Sequence, residues 1–185
     1  ELQPKQNTVT FDTKFVGPLR VDRAGRKYTM DFPARVGEKL ELSAIPPAVL
    51  EGLGVQARPI AAYKARDLML VYADDDIVRT LKPDFNTLAK YNSFVIVTAP
   101  SVDAQYDFIS RCFCADDAIA EDPVTGSAHC TLAPYWSARL QKTSLKAYQA
   151  SRRGGALDLE LVRDRVLISG QALTLIHGHM RLSPA

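Results

Sequence analysis

The stretch EDPVTGSAH, Glu121–His129, joins two acids to a proline and then to a run of small residues that opens a helical pattern. Asp122 stands before Pro123, which biases it to extended backbone and stiffens the approach. From about Thr125 to Gln141 the apolar spacing is that of a helix, with Ala128, Leu132, Tyr135, Trp136 and Leu140 at intervals of three and four. One apolar stripe buries the helix on at least one side, and Pro134 inside it predicts a kink. Free N–H groups at the start of such a helix need partners and carry partial positive charge. Thr125 or Asp122 can cap them. The third residue after Thr125 is Ala128 rather than Glu, so there is no capping box. Gly126, Ser127 and Ala128 are small enough for a carboxylate or phosphate to approach the backbone instead. The residues alone leave the cap and the anion site both open.

Strands lie on both sides of this helix. SFVIVTAP (93–100) and YDFISRCFC (106–114) precede it, rich in β-branched and aromatic residues. SLKAYQAS (144–151), ALDLELV (156–162), RVLISG (165–170) and ALTLIHG (172–178) follow, punctuated by Arg153-Gly154-Gly155, Arg163-Asp164 and Gly170, and read as antiparallel strands. Towards the N-terminus, TVTFDT (8–13), LRVDR (19–23) and KYTMDF (27–32) alternate as a short meander. IPPAVLEGLG (45–54) reads as a short helix between Pro46-Pro47 and Gly54, with strands following at 57–65 and 67–73. Residues 74–91 read as two helical turns broken at Pro83, with Asp74–Asp76 at the first helix's N-terminus. One substantial helix between two strand groups favours an α+β fold over an alternating βαβ one. No G-x-G-x-x-G follows a strand, and Gly126-Ser127 lacks the lysine of a phosphate-binding loop.

The 185 residues suffice for one large domain or two small ones, and 46% hydrophobic with 24% charged residues argues against disorder. A net charge of +2 and the lack of aromatic-basic interleaving give no reason to expect a nucleic-acid partner. No apolar run reaches the ~20 residues needed to cross a bilayer. The polar start, ELQPKQNTVT, does not read as a signal peptide, and three cysteines suit free thiols in a reducing compartment, so a cytoplasmic protein is expected.

Paired acids can divide acid and base roles when their surroundings separate their proton affinities. Glu121 and Asp122, as neighbours on an extended segment, can also point in opposite directions, and solvated loop acids are the commoner case. Cys112, Cys114 and Cys130 read as small buried hydrophobes rather than a thiol catalyst. With His129 they lack the spacing of a zinc knuckle, and no metal is expected. His177 and His179 share a strand face with no third ligand. Lys142, Lys146, Arg152 and Arg153 read as a solvated basic face that could steer an acidic substrate.

AEDPVTGSAHCTLAPYW (120–136), continuing through SARLQKTSLKAYQASRRGG (137–155) and VLISGQA (166–172), resembles the phenazine-biosynthesis PhzF-like family. FDTKFVGPLRV (11–21), DIVRTLKPDFNTLA (76–89) and SRCFCADDAIAEDPVTGSAH (110–129) are similar to the same family in the same order. Its members are isomerases and epimerase relatives with the diaminopimelate epimerase fold. The resemblance implies two similar lobes, each wrapping an antiparallel or mixed sheet around a central helix, with the active site in the cleft between them. It implies residues 1–42 as the remainder of the N-terminal lobe, residues 43–172 as the C-terminal lobe with its central helix near 126–141, and residues 173–185 as terminal strands returning to the first lobe.

The implied chemistry is cofactor-free proton transfer at carbon on a small anionic metabolite. Asp122 is the catalytic residue the motif selects, acting by hydrogen bonding or as a partner acid. Thr125, Gly126, Ser127 and Ala128 are the implied substrate-binding residues. The family's proton-shuttling glutamate and its Gly-His motif have no match here, and Glu38 and Glu41 do not stand in that context. By motif order, residue 1 aligns inside the first lobe, about a third of the family's length lies outside this sequence, and the chain alone is expected to be catalytically impaired. A homodimer is expected. The alternative reading is a non-catalytic binding or interaction protein that keeps the fold, its open sheet edges inviting another chain.

Overall fold

The computed structural model describes residues 6–14, 17–116, 119–176 and 178. The strands of the opening meander are β1 (Thr8–Thr13), β2 (Gly17–Ala24) and β3 (Lys27–Pro33). A short β4 (Glu38–Leu40) leads to helix α1 (Pro47–Leu53), then to β5 (Ala61–Lys64) and β6 (Leu68–Val71). Helices α2 (Asp75–Thr80) and α3 (Phe85–Ala89) flank Pro83 as expected, and the Asp84 side chain accepts from Asn86 N and Thr87 N to start the second. There follow β7 (Val95–Pro100), β8 (Phe108–Asp116), a short β9 (Ile119–Glu121) and the long helix α4 (Gly126–Leu140). The antiparallel run β10 (Ser144–Gln149), β11 (Gly155–Val162) and β12 (Arg165–Gln171) is the last among the described residues.

All strands belong to one 12-stranded sheet in the order β1-β2-β3-β12-β11-β10-β8-β7-β6-β5-β4, with β9 paired to β8 off this path. The chain is therefore α+β with a mixed sheet. Two neighbouring pairs, β6–β7 and β8–β10, are parallel, and each needs a crossover. The first runs through α2 and α3, the second through α4. The opening meander joins the last strand through β3–β12, where Met30 opposes Ile168 and Phe32 opposes Val166.

The central strands are buried on both faces, so they read as apolar runs rather than alternations. Leu68 and Leu70 face a layer with Val49, Leu53, Val78 and Leu88 of α1–α3. Met69 and Val71 face the opposite layer, built on Leu132, Ala133 and Trp136 of α4. Trp136 stacks on Phe108 at 5.3 Å and 7°, and its indole N–H donates to Thr98 Oγ1 at 3.0 Å.

Helix α4 departs from the single stripe its spacing predicted. Every residue from Ala128 to Pro134 is buried, His129 and Thr131 included. The sheet curls around the helix, which packs on β3, β10, β11 and β12 as well as over the central strands. A helix enclosed in this way has no solvent face to mark with polar residues. The helix runs unbroken through Pro134.

A second departure lies at ALTLIHG. Residues 172–176 pair with no strand among the described residues, and Leu173, Leu175 and Ile176 are exposed. Strand propensity is realised only against a neighbouring strand, and β12's two neighbours are β11 and β3. His177 and residues 179–185, His179 among them, lie outside the described residues. Among the described residues no helix is long and apolar enough to cross a membrane.

Candidate active site

The two acids of the opening stretch part company in space. Glu121, the last residue of β9, turns to Arg111 of β8, which donates Nε and Nη2 to its two carboxylate oxygens at 2.7 and 2.9 Å. Arg111 is 8% exposed and spends Nη1 on the carbonyls of Val78 and Leu81. Glu121 is thus held in a fork-to-fork pair by an arginine that also ties β8 to the end of α2. Asp122 keeps its backbone in register by donating N–H to Cys112 O at 3.1 Å, while its side chain stays half-buried. Only Oδ1 is engaged among the described residues, accepting from Val124 N at 3.3 Å.

The loop from Asp122 to Thr125 is fixed by side chains from the end of β10. Gln149 is fully buried. Its Oε1 accepts from Thr125 N at 2.7 Å, and its Nε2 donates to Asp122 O at 2.6 Å and Thr125 Oγ1 at 3.0 Å. Ser151 Oγ donates to Pro123 O at 2.7 Å and accepts from Gly154 N at 3.1 Å. A loop that leaves the ladder must satisfy its buried backbone groups elsewhere, and here these two side chains do so. Gly155 completes the seat, because a Cβ there would lie 2.4 Å from Val124 Cγ2.

This arrangement decides how α4 begins. Thr125, the residue at the cap position, has extended backbone and makes no side-chain bond to the helix. Its hydroxyl is turned inward to Gln149 and the Cys112 thiol, and the residue is 4% exposed. Asp122 bonds Val124, ahead of the helix. Neither side chain the sequence offered as a cap serves as one. Gly126 and Ser127 are half-buried, and Ala128 is buried with its methyl in the core. Ser127 Oγ receives Arg66 Nη2 at 3.0 Å. Arg66, on the β5–β6 turn, is itself locked by Nε and Nη2 bonds of 2.6–3.1 Å to Asp67, which is 2% exposed. With its oxygen occupied as an acceptor, the Ser127 hydroxyl is left to donate.

A cavity of about 920 Å³ opens beside the helix start, lined in part by Val124, Gly126, Lys27, Tyr28, Arg153 and Gly154. Two cations stand on its wall, Lys27 paired with Asp158 at 2.6 Å and Arg153 exposed on the turn after β10.

The neighbouring titratable groups are silent near neutral pH. Burial pushes the Cys112 thiol up to about 12 and raises Cys130 as well, so neither is a nucleophile. His129 is fully buried, and burial lowers it to about 4. Its Nδ1 lies 2.7 Å from Thr125 O, so this nitrogen carries the proton of the neutral ring. Among the described residues no group of three or more His, Cys, Asp or Glu side chains is placed to hold a metal ion.

Of the residues singled out in the sequence, Asp122, Thr125, Gly126, Ser127 and Ala128 lie together at this helix start. Gln149 and Arg66 escaped the sequence reading. Gln149 sits at a strand end 24 residues beyond Thr125, and Arg66 is 61 residues before Ser127. The only sequence signal for Gln149 is an amide on a strand otherwise alternating Leu145, Ala147 inward.

The comparisons with known proteins bear on the family and the fold. The family model for phenazine biosynthesis-like proteins, PhzC-PhzF, matches residues 1–178. Phenazine biosynthesis-like domain-containing protein 2 of Mus musculus is 54% identical over 187 residues, covering 93% of this chain and 65% of that protein. An uncharacterized isomerase of Halalkalibacterium halodurans is 38% identical over 179 residues, covering 96% of this chain and 66% of the relative. A crystal structure of a PhzF-family phenazine biosynthesis protein from Enterococcus faecalis has a TM-score of 0.84 at 39% identity, covering 96% of this chain and 66% of that one. A predicted epimerase of Pseudomonas aeruginosa shares the fold with a TM-score of 0.60 at 18% identity. The chain spans 62–66% of the length of three bacterial relatives named as isomerases, under two thirds of each. With a family match over nearly its whole length and relatives at 38–54% identity, the chain belongs to the phenazine biosynthesis-like protein family.

Proposed function

We propose that this chain forms part of a cofactor-independent isomerase or epimerase that moves a proton at a carbon of a small carboxylated metabolite. The observation that carries the reading is the start of α4, where no side chain among the described residues caps the helix and the half-buried Asp122 stands beside it. A carboxylate of the substrate would accept from the N–H groups of Gly126, Ser127 and Ala128 and from the Ser127 hydroxyl, with the helix dipole favouring its charge. So anchored, it would acidify nothing by itself, but it would hold the adjacent carbon in one place. Asp122 would assist the transfer through its carboxyl group, as a hydrogen-bond partner or as a partner acid to a shuttling base. That base is expected on the family's first lobe rather than on this chain. Isomerase names among the relatives support the reaction class.

The test is solvent exchange. The polypeptide carrying both lobes is incubated in D2O with a panel of small amino and hydroxy acids, and loss of the Cα–H signal is followed by proton NMR. One deuteron should enter at one carbon of an active substrate, and Asp122→Asn should slow this at least 100-fold while the fold is kept. Exchange at the wild-type rate in Asp122→Asn, or none across the panel, would remove the basis of the proposal.

A further inference from the structure

Resting on that reading of the helix start, we infer that Gln149 is the positioning residue of the site: it sets the Asp122–Thr125 loop and holds the Thr125 hydroxyl away from the first turn of α4, leaving that turn to receive an anion. The side chain is fully buried at the end of β10, one strand beyond β8, and is not among the residues that line the cavity. All three of its bonds go to the loop, at 2.6–3.0 Å. Their donor and acceptor roles are fixed by chemistry. Thr125 N can only donate and Asp122 O can only accept, so the amide oxygen must face the first and the nitrogen the second. An amide is the one uncharged side chain of this length that serves both at once.

The third bond has the functional consequence. A threonine at this position ordinarily turns its hydroxyl to an N–H of the first turn. Here the hydroxyl accepts from Gln149 instead, and the helix start goes without a side-chain cap. The same amide holds the carbonyl of Asp122, fixing the point from which its carboxyl group projects. Ser151, two residues on, holds Pro123 O, and Cys112 meets Asp122 N and the Thr125 hydroxyl, but among the described residues Gln149 is the side chain that bonds both Asp122 O and Thr125 N. Gln149 thus acts through Asp122 and Thr125 and not on a ligand directly.

The experiment is a sulfate titration of the ¹⁵N-labelled chain at constant ionic strength, following the amide signals of Gly126, Ser127 and Ala128. The wild type should show saturable shifts at these amides. Gln149→Met, which frees Thr125 to cap the turn, should weaken sulfate at least tenfold. Gln149→Met with Thr125→Val, in which no hydroxyl is left to cap, should recover most of that loss, a rescue that simple damage to the fold would not give. Should the methionine variant not fold, Gln149→Ser, uncharged and too short to reach Thr125 Oγ1, should show the same tenfold weakening. Wild-type binding retained in Gln149→Met or Gln149→Ser, or a double variant no better than Gln149→Met, overturns the role of Gln149 alone. No saturable response in the wild type overturns the anion site itself.

Discussion

Replacing Gly155 by alanine tests the seat of the Asp122–Thr125 loop with a single carbon. The glycine's backbone lies outside the positive-φ region, so alanine is not refused by the main chain. The obstacle is Val124. An added Cβ would lie 2.4 Å from Val124 Cγ2 and 3.4 Å from Cγ1, with Val124 Cβ at 3.5 Å. Carbon atoms settle at about 3.5–4.0 Å, so a gap of roughly 1.2 Å has to open. Val124 cannot simply swing away, since its neighbours Pro123 and Thr125 are tied to Ser151 and Gln149. Overpacking of this kind costs about 1–3 kcal/mol. For a chain of this length that is about 2–12 °C in Tm. Removing the obstacle should reverse it. Val124→Ala alone should cost about 1 kcal/mol, because the side chain is only half-buried. The double variant should be no less stable than Val124→Ala, giving a coupling of about 1–3 kcal/mol in a double-mutant cycle read by urea unfolding. If Gly155→Ala matches the wild type, or if the two costs add to within about 0.5 kcal/mol, Val124 and Gly155 are not packed as described.

The remaining expectations concern the groups around the loop. Glu121→Ala should destabilise by about 3–5 kcal/mol, because it strands the buried Arg111 guanidinium, whereas Asp122→Asn should stay within about 1 kcal/mol; urea midpoints compare the two directly. His129 binds no proton in the fold until about pH 4, against an ordinary 6.5, so the unfolded chain takes up the proton first and stability falls as pH drops through 6.5 towards 4. The full loss is about 3 kcal/mol, and His129→Gln should flatten that part of the stability–pH curve relative to the wild type. Trp136→Phe keeps the stacking on Phe108 but loses the indole bond to Thr98, and should cost about 1–2 kcal/mol by the same unfolding assay.

What could be read in the sequence was what local pattern controls. Helix α4, the break at Pro83 and the antiparallel β10–β12 run need only neighbouring residues, whereas Asp122 is singled out by the resemblance of its motif. The pairing of Glu121 with Arg111 and the turning of the Thr125 hydroxyl to Gln149 could not be read in the sequence; both depend on partners brought close by the fold. The all-round burial of α4 was hidden for a related reason. A 3.6-residue stripe reports one covered face, and this helix is enclosed by strands drawn from both ends of the chain. At residues 172–176 the alternation is genuine, but a strand exists only with a partner.

The clamp at the end of β10 also has a meaning in time. The carbonyls of Asp122 and Pro123 and the N–H of Thr125 are bonded by side chains 27, 28 and 24 residues further along the chain. A polypeptide synthesised from its N-terminus therefore carries this loop out ahead of the groups that shape it. The loop takes its final form only when β10 has crossed over α4 and added to β8 in parallel, a non-local step and hence a slow one. The loop is thus shaped after the residues that compose it, and a nascent chain halted before Gln149 would hold every residue of the motif without the bonds that fix it.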